Sequence, residues 1–218
     1  MTATASVSPT GDPYVDSLLT GIKWGDTNLT YSFPSSPSYY VGTLGFSYGS
    51  EPATNFKAFT AVQQAAVTSI LKMDAAVANV TFTEITETST SSATIRYAES
   101  DAALPTAYTY EPSTAPQGGD AWFSNSSHYY DNPVVGNYAW FSMIHETGHA
   151  LGLKHPFQTS GSFGIMPADH DTVEYTVMTY ISYAGGSTSG YTNASDSYPQ
   201  SLMMYDIAAL QSMYGANY

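Results

Sequence analysis

The chain has 218 residues, of which 43% are hydrophobic and 11% are charged, so its composition is that of a globular protein long enough for one domain. Its 18 acidic and 5 basic residues give a net charge of −13, which argues against nucleic-acid binding and against attraction to anionic membranes. The absence of cysteine excludes disulfides and thiolate metal sites.

The first part of the chain predicts a lead-in, two helices and a strand. Residues 1–13 are rich in Thr, Ser, Gly and Pro, which predicts a flexible segment. A short helix is predicted over residues 14–19, and the alternation of residues 28–33 predicts a first strand. Apolar residues recur every three to four positions over residues 56–78, which predicts a long helix that backs a sheet.

The rest of the chain continues with strands and then helices. Alternation and amphipathic spacing predict strands at residues 80–85, 93–98 and 107–110, and helices at residues 137–151 and 202–213. This order indicates an α/β layered, α+β fold with a mostly parallel sheet. Arg96 is the single arginine, and we expect it to form a structural ion pair.

The helix before the last one carries a metal-binding pattern, H-E-x-x-H-x-x-G-x-x-H, formed by His145, Glu146, His149, Gly152 and His155. Imidazoles four residues apart lie on one face of a helix, so His145 and His149 can bind one metal ion. Gly152 lets the helix end in a left-handed residue, so that His155 can return as a third ligand. Glu146 can reach a water on the metal without being a ligand. Three neutral imidazoles leave a fourth position open, which is typical of a catalytic zinc site.

The run from His145 to Pro156, HETGHALGLKHP, resembles the zinc signature of the metzincin metalloproteases. The proline after the third histidine resembles the serralysins, which are secreted bacterial proteases. The phrases GIKWG…LTYSFP and MMYDIAALQSMYGAN also resemble serralysin catalytic domains, and the resemblance covers about residues 14–217. It implies a metzincin-like catalytic domain with a twisted, mostly parallel sheet of about five strands, an antiparallel edge strand, a backing helix, an active-site helix and a C-terminal helix.

The same resemblance implies how the domain is divided. A single metalloprotease catalytic domain is expected over residues 1–218. Its upper part, over about residues 1–152, would hold the sheet and the zinc helix, and its lower part, over about residues 153–218, would hold the third histidine, the Met-turn and the last helix.

A second segment resembles a metzincin feature, the Met-turn at residues 175–180, which implies that Met178 packs beneath the metal. In serralysins and astacins, a tyrosine two residues after that methionine can ligate zinc and then swing away to hydrogen-bond the transition state. Tyr180 occupies this position. The resemblance therefore implies that Glu146 and Tyr180 are catalytic and that the metal ligands are His145, His149, His155 and Tyr180.

The segment after residue 118 resembles the antiparallel edge strand of the metzincin cleft, and an unpaired edge can bind an extended peptide as an added strand. This implies substrate binding by Gly119, Asp120, Ala121, Trp122 and Phe123, with an ordinary edge strand as the alternative. The irregular residues 156–176 are expected to form the wall of a specificity pocket. His128 and His170 lie outside the motif and are expected in loops or on the surface.

The predicted cofactor is one catalytic Zn²⁺ ion. Ca²⁺ is a further candidate, but the chain lacks the G-G-x-G-x-D repeats through which serralysins bind it. The predicted partners are polypeptide substrates, with a proteinaceous inhibitor as a further candidate. We expect no nucleic-acid partner and no membrane span, and we expect the protein to be a monomer. The resemblance implies a secreted, extracellular bacterial protein, although no cleavable signal peptide is visible at the start.

These observations together predict a zinc-dependent endopeptidase that uses a metal-activated water with Glu146 as general base. A narrow-specificity processing protease for a surface or secreted partner would share every motif, so only a substrate profile separates the two. A non-catalytic zinc-binding module would have no need of Glu146. In a self-blocked form, an N-terminal carboxylate such as that of Asp12 or Asp16 would cover the zinc.

Overall fold

The structure is a computed structural model that describes residues 2–40, 48–88 and 90–218. Its elements in chain order are β1 (Thr4–Ser6), α1 (Pro13–Asp16), β2 (Ile22–Trp24), β3 (Asn28–Ser32), β4 (Lys57–Ala58), α2 (Ala61–Val77), β5 (Thr81–Glu84), β6 (Ile95–Glu99), β7 (Ala107–Thr109), β8 (Asp120–Phe123), α3 (Tyr138–Leu151) and α4 (Met204–Tyr214). Short 3-10 helices lie at Pro37–Tyr39 and Glu51–Ala53. Each predicted helix and strand has its counterpart in this order.

The central sheet has the strand order β5-β3-β6-β8-β7, and the two-residue β4 pairs separately with β6. Strands β5, β3, β6 and β8 run parallel to their neighbours, whereas β7 runs antiparallel to β8 at one edge. Helices α2 and α3 contact each other, and α2 also contacts β5 and α4. The prediction of an α+β fold with a mostly parallel sheet and an antiparallel edge strand is therefore confirmed.

The identity of the edge strand differs from the prediction. Residues 120–123 form β8, which has β6 on one side and β7 on the other, and all four of its side chains are buried. The edge strand is Ala107–Thr109, so the prediction that Gly119–Phe123 lies at the open edge is wrong. The apolar pattern of β8 is that of a strand covered on both faces, and pattern alone does not report which strands are its neighbours.

A buried ion pair joins the middle strands of the sheet. Arg96 on β6 is in register with Asp120 on β8, and its Nε and Nη2 atoms each donate to one carboxylate oxygen of Asp120 at 2.6 Å. Tyr48 donates to the same carboxylate, and the Arg96 group lies 4.3 Å above the ring of Tyr40. Burial raises the pKa of Asp120 to about 6, although Arg96 opposes that rise. The expected structural role of Arg96 is confirmed.

The N-terminal segment also differs from the prediction, because β1 pairs antiparallel with β2 rather than remaining flexible. Asp12 caps α1 by accepting the amide hydrogen of Tyr14. The Asp16 carboxylate accepts hydrogen bonds from Thr10 and from the amide of Gly11. Both carboxylates that were considered for a self-blocked form therefore have local partners.

Two helices meet the sheet and place the central residues of the site. The long helix α2 begins at Ala61, five residues later than predicted, because Thr60 and Gln63 form a reciprocal capping box there. Helix α3 is capped by Asn137 and is buried from residue 139 to residue 151. Ionisable side chains are rarely buried, so the buried His and Glu residues of α3 make it a candidate functional helix.

We expect Asp120→Asn to reduce the free energy of unfolding by about 3–5 kcal/mol, because it leaves the Arg96 guanidinium buried without a neutralising charge. The measurement is urea unfolding followed by circular dichroism. The matched control is Asp196→Asn, at an exposed loop position, which should change stability by less than about 0.5 kcal/mol. Equal effects of the two substitutions would contradict the assignment.

Candidate metal centre

Three imidazole rings converge on one point beside the C-terminal half of α3. The Nε2 atoms of His145, His149 and His155 form a triangle in which each pair lies 3.1 Å apart. Among residues 2–40, 48–88 and 90–218, this is the one group of three or more His, Asp or Glu side chains close enough to share an ion. No comparable side-chain group for the further candidate, Ca²⁺, is found in those ranges.

The end of α3 explains how the third histidine joins the other two. Gly152 adopts a left-handed conformation with φ of +106°, and a Cβ there would lie 2.5 Å from the carbonyl oxygen of Ile22. Any other residue would be strained by its φ and would clash with the chain. After this turn Lys154 donates its amide hydrogen to the Leu18 carbonyl, which places His155 opposite the helix.

The free carbonyls at the C-terminus of α3 are bound by residues from elsewhere in the chain. The Trp24 indole donates to the carbonyl of Ala150 at 2.8 Å, and the Tyr214 hydroxyl donates to the carbonyl of Leu151 at 2.7 Å. Helix ends leave such groups without partners inside the helix, so these contacts both satisfy them and fix the position of the turn.

The outer nitrogens of two rings determine which nitrogen faces the centre. His145 Nδ1 lies 2.8 Å from the carbonyl oxygen of Val177, and His149 Nδ1 lies 2.8 Å from that of Leu153. A carbonyl only accepts, so both Nδ1 atoms carry the hydrogen and both Nε2 atoms present a lone pair.

The three Nε2 atoms are placed to share a metal ion. Those of His145 and His149 both present lone pairs and cannot hydrogen-bond to each other, so their approach to 3.1 Å is favourable only around a cation. Zinc–nitrogen bonds of about 2.0–2.1 Å in tetrahedral geometry would separate the nitrogens by about 3.3 Å. The spacing of the triangle is close to that value.

Burial keeps these rings in the form that binds a metal. It lowers the pKa of His149 to about 4 and that of His155 to about 3, and in His155 the neighbouring His149 adds to the effect. The pKa of His145 is also far below its usual value, first because of burial and then because of the other two rings. Neutral imidazole is the species that ligates zinc.

Residues of the predicted Met-turn lie directly against the helix. Met178 is fully buried, and its Sδ atom would lie 2.7 Å from a Cβ placed on Gly148, between the two helical histidines. The turn is anchored by Asp206 on α4, which accepts hydrogen bonds from the Thr176 hydroxyl at 2.6 Å and the Val177 amide at 2.9 Å. Tyr180 is 41% exposed, and its hydroxyl lies 2.8 Å from His155 Nε2.

Glu146 lies beside the histidines and is 5% exposed. Burial raises its pKa to about 8, and a hydrogen bond from the Thr109 hydroxyl at 2.7 Å partly opposes that rise. Thr109 is a residue of the site that the motif did not reveal. In the sequence, its position between Tyr108 and Tyr110 indicates only that Thr109 points to the opposite face of the strand from these two tyrosines.

The remaining predicted residues lie away from the site or inside the sheet. The Asp120 carboxylate forms an ion pair with Arg96. Strand β8 pairs with β6 on one side and β7 on the other, so the predicted substrate strand lies one strand in from the edge of the sheet. His128 is an exposed partner of Asp131, and His170 packs among tyrosines. Neither of these two histidines joins the triad.

A cavity of about 760 Å³ opens beside His145, Glu146 and Tyr180. Its walls are largely aromatic and include Tyr130, Tyr138, Phe141 and Tyr191. Residues 188–191 line part of this cavity, and no residue of 156–176 does; the prediction that residues 156–176 form the wall of a specificity pocket stays a prediction. A second cavity of about 490 Å³ is lined partly by residues 157–160, together with Glu111 and Lys154.

Comparison with known proteins decides the family. The profile of the matrixin peptidase family matches residues 46–174, a range that includes the glutamate and all three histidines of the site. The chain belongs to the matrixin family.

This matrixin is similar to several curated serralysins. It is 33% identical over 207 residues to serralysin B of Dickeya chrysanthemi, an alignment that covers 87% of this chain and 39% of the relative. It is 30% identical over 202 residues to metallopeptidase AprA of Pseudomonas marginalis, covering 89% of this chain and 41% of the relative. The matrixin therefore spans about two-fifths of the length of these relatives, and its predicted resemblance to serralysin-like metzincins is confirmed.

We expect one equivalent of Zn²⁺ to raise the unfolding temperature of the metal-free matrixin, since an ion that binds only the folded state stabilises it by about 4 kcal/mol at a free concentration of 1,000 Kd. His155→Gln should lose most of this gain. His128→Gln, at the exposed histidine, is the control and should keep it. Calorimetry with and without zinc makes the measurement, and equal zinc responses in the two variants would contradict the ligand set.

Proposed function

We propose that this matrixin is a zinc-dependent endopeptidase of the serralysin type that acts on polypeptides outside the cell. The observation that carries the proposal is the triangle of three neutral imidazole nitrogens, 3.1 Å apart, with the buried carboxylate of Glu146 next to it. His145, His149 and His155 would hold one zinc ion, and Tyr180 would be a further, exchangeable ligand.

Glu146 is proposed as the general base and acid of the reaction. When bound, zinc would supply Lewis acidity, which polarises the scissile carbonyl and lowers the pKa of a water molecule towards neutral pH. Glu146 removes a proton from the attacking water as the water oxygen bonds to the carbonyl carbon. It then delivers that proton to the leaving amine nitrogen as the C–N bond breaks. Proton transfers of this kind contribute about 10²–10⁴-fold to the rate.

The raised pKa of Glu146 is compatible with this role. Burial, partly opposed by the hydrogen bond from Thr109, raises its pKa to about 8, which would keep the carboxyl largely protonated at neutral pH. A divalent cation within a few ångströms favours the ionised form and would lower that pKa. A base whose pKa falls close to the working pH can both accept and return a proton.

Tyr180 is proposed to stabilise the developing oxyanion. Burial raises its pKa to about 12, so the hydroxyl stays protonated and can donate a hydrogen bond. The hydroxyl lies next to His155 Nε2, and 41% of the residue is exposed, which gives the ring room to move away from the metal. A neutral donor directed at developing negative charge is an effective electrostatic catalyst.

The open edge of β7 is proposed as the substrate-binding strand, in place of Gly119–Phe123. The amide and carbonyl of Tyr110 and the carbonyl of Thr106 bond towards β8 and its flanks. Because backbone groups alternate along a strand, those of Ala107 and Thr109 face the open edge. A peptide added there as a further strand would pass in front of Glu146.

The aromatic cavity beside His145 and Glu146 is proposed to receive a substrate side chain next to the scissile bond. Its size and its tyrosine and phenylalanine walls suit an aromatic or large aliphatic residue. We expect a peptide-library digest to show enrichment of Phe, Tyr, Leu or Met beside the cleaved bond. A single cleaved sequence would instead support the narrow-specificity processing protease, and a preference for charged residues at that position would contradict the assignment.

The similarity to serralysins supports an extracellular location and polypeptide substrates as partners. A proteinaceous inhibitor is proposed as a further partner. The described ranges contain no helix that is both long and apolar enough to cross a membrane. The proposed extracellular location rests on the similarity to serralysins.

We expect Glu146→Gln to keep its zinc and to lose at least about 10²-fold in casein hydrolysis, because the amide cannot accept the proton. Glu174→Gln, at an exposed position after the active-site helix, is the matched control and should keep parental activity. Metal analysis and a casein digest with and without 1,10-phenanthroline make the measurement. Hydrolysis by the parent that resists the chelator would contradict the zinc mechanism, and full activity of Glu146→Gln would contradict the assignment of Glu146 as the base.

A further inference from the structure

We propose that Thr109 is a positioning residue of the catalytic site, whose hydroxyl orients the carboxylate of Glu146 from the strand that pairs with the substrate. The catalytic consequence rests on the proposed function. The contact itself is a property of the folded chain and can be tested without any substrate.

The contact is short and is shielded from water. Thr109 Oγ1 donates to Glu146 Oε2 at 2.7 Å, which is a favourable distance for an O–H···O bond. Glu146 is 5% exposed, so water is largely excluded as an alternative donor. A hydrogen bond from a neutral group to a carboxylate is stronger in such surroundings than in water.

Holding one oxygen determines what the other can do. The terminal torsion of a glutamate is broad and roughly two-fold, so an unrestrained carboxylate of Glu146 would sample many orientations. With Oε2 bound to Thr109, Oε1 is the oxygen left to take a proton. Proton transfer requires hydrogen-bond geometry, and a small misplacement of the base lowers the rate.

Thr109 is itself held from behind its strand. Its neighbours Tyr108 and Tyr110 point to the opposite face, and both hydroxyls donate to Oε1 of Glu51, the latter at 2.5 Å. Glu51 is 2% exposed, so this clamp is also buried. The short strand is therefore fixed on its rear face by Glu51 and meets Glu146 on its front face.

The same residue faces the substrate through its backbone. By the alternation along β7, the amide and carbonyl of Thr109 point to the open edge while its hydroxyl binds Glu146. Docking of a peptide on the edge and orientation of the base thus depend on one residue. Sliding the strand by one position would place a tyrosine where the hydroxyl of Thr109 now lies.

Three variants test the catalytic part. Thr109→Val keeps the shape but removes the hydroxyl. We expect kcat to fall about 10- to 100-fold, a part of the 10²–10⁴-fold that general base catalysis contributes, with KM within about three-fold. Thr109→Ser restores a hydroxyl and should keep kcat within about three-fold of the parent. Thr83→Val, at an exposed position on the opposite edge of the sheet, is the matched control.

The alternatives give different patterns. Parental kcat in Thr109→Val would overturn the proposal. A serine variant as impaired as the valine variant would show that packing, and not the hydroxyl, is what matters. A rise in KM with unchanged kcat would assign Thr109 to peptide pairing alone. Zinc content measured in each variant excludes loss of the metal as the cause.

A double-mutant cycle tests the contact without any activity measurement. In the parent, Thr109→Val should lower the unfolding temperature by about 2–4 °C, because a buried carboxylate oxygen loses its partner. In a Glu146→Ala background, the same change should lower it by less than about 1 °C. Additive shifts would overturn the contact. A parent that cleaves no peptide would defeat the proposed function and leave this readout intact.

Discussion

Three uncharged imidazole nitrogens held 3.1 Å apart are the constraint on which the rest of the site depends. The lone pairs of His145 and His149 repel each other unless a cation lies between them, so the fold must supply the restraint that keeps these atoms together. That restraint comes from the left-handed turn at Gly152 and from carbonyls that hold the rear of two rings. The metal site is thus preorganised by backbone groups, which cannot rotate away as side chains can.

The restraint continues outward through the Met-turn. Val177 accepts a hydrogen bond from His145 with its carbonyl and donates one to Asp206 with its amide, so one residue joins a histidine of the triad to the last helix. The Met178 sulfur packs against Gly148, where an added Cβ would lie 2.7 Å from it and force the methionine to shift. Helix α3, the Met-turn and α4 are therefore in contact with one another, and a substitution that shifts any of them would also shift the three histidines.

The protein places ionisable groups in an interior that disfavours charge. Burial raises the pKa of Glu146 and lowers the pKa of each histidine, which favours the neutral form of all four groups. This arrangement costs stability in the metal-free chain, and binding of a cation would offset it. Elsewhere the free-energy cost of burying a charge is offset by an ion pair, as in the contact of Arg96 with Asp120.

The chain by itself determined the local features. Helix α3 with its ligand spacing, the glycine stop and the residue types of the Met-turn can be read from positions close together in sequence, because helical geometry and backbone sterics act over a few residues. Tertiary structure alone decided which strand lies at the open edge, that residues 188–191 and not 156–176 line the aromatic cavity, and that Thr109 meets Glu146. These depend on the order of strands and the path of long loops, which follow from the packing of the whole core and leave no periodic signal in the segments themselves.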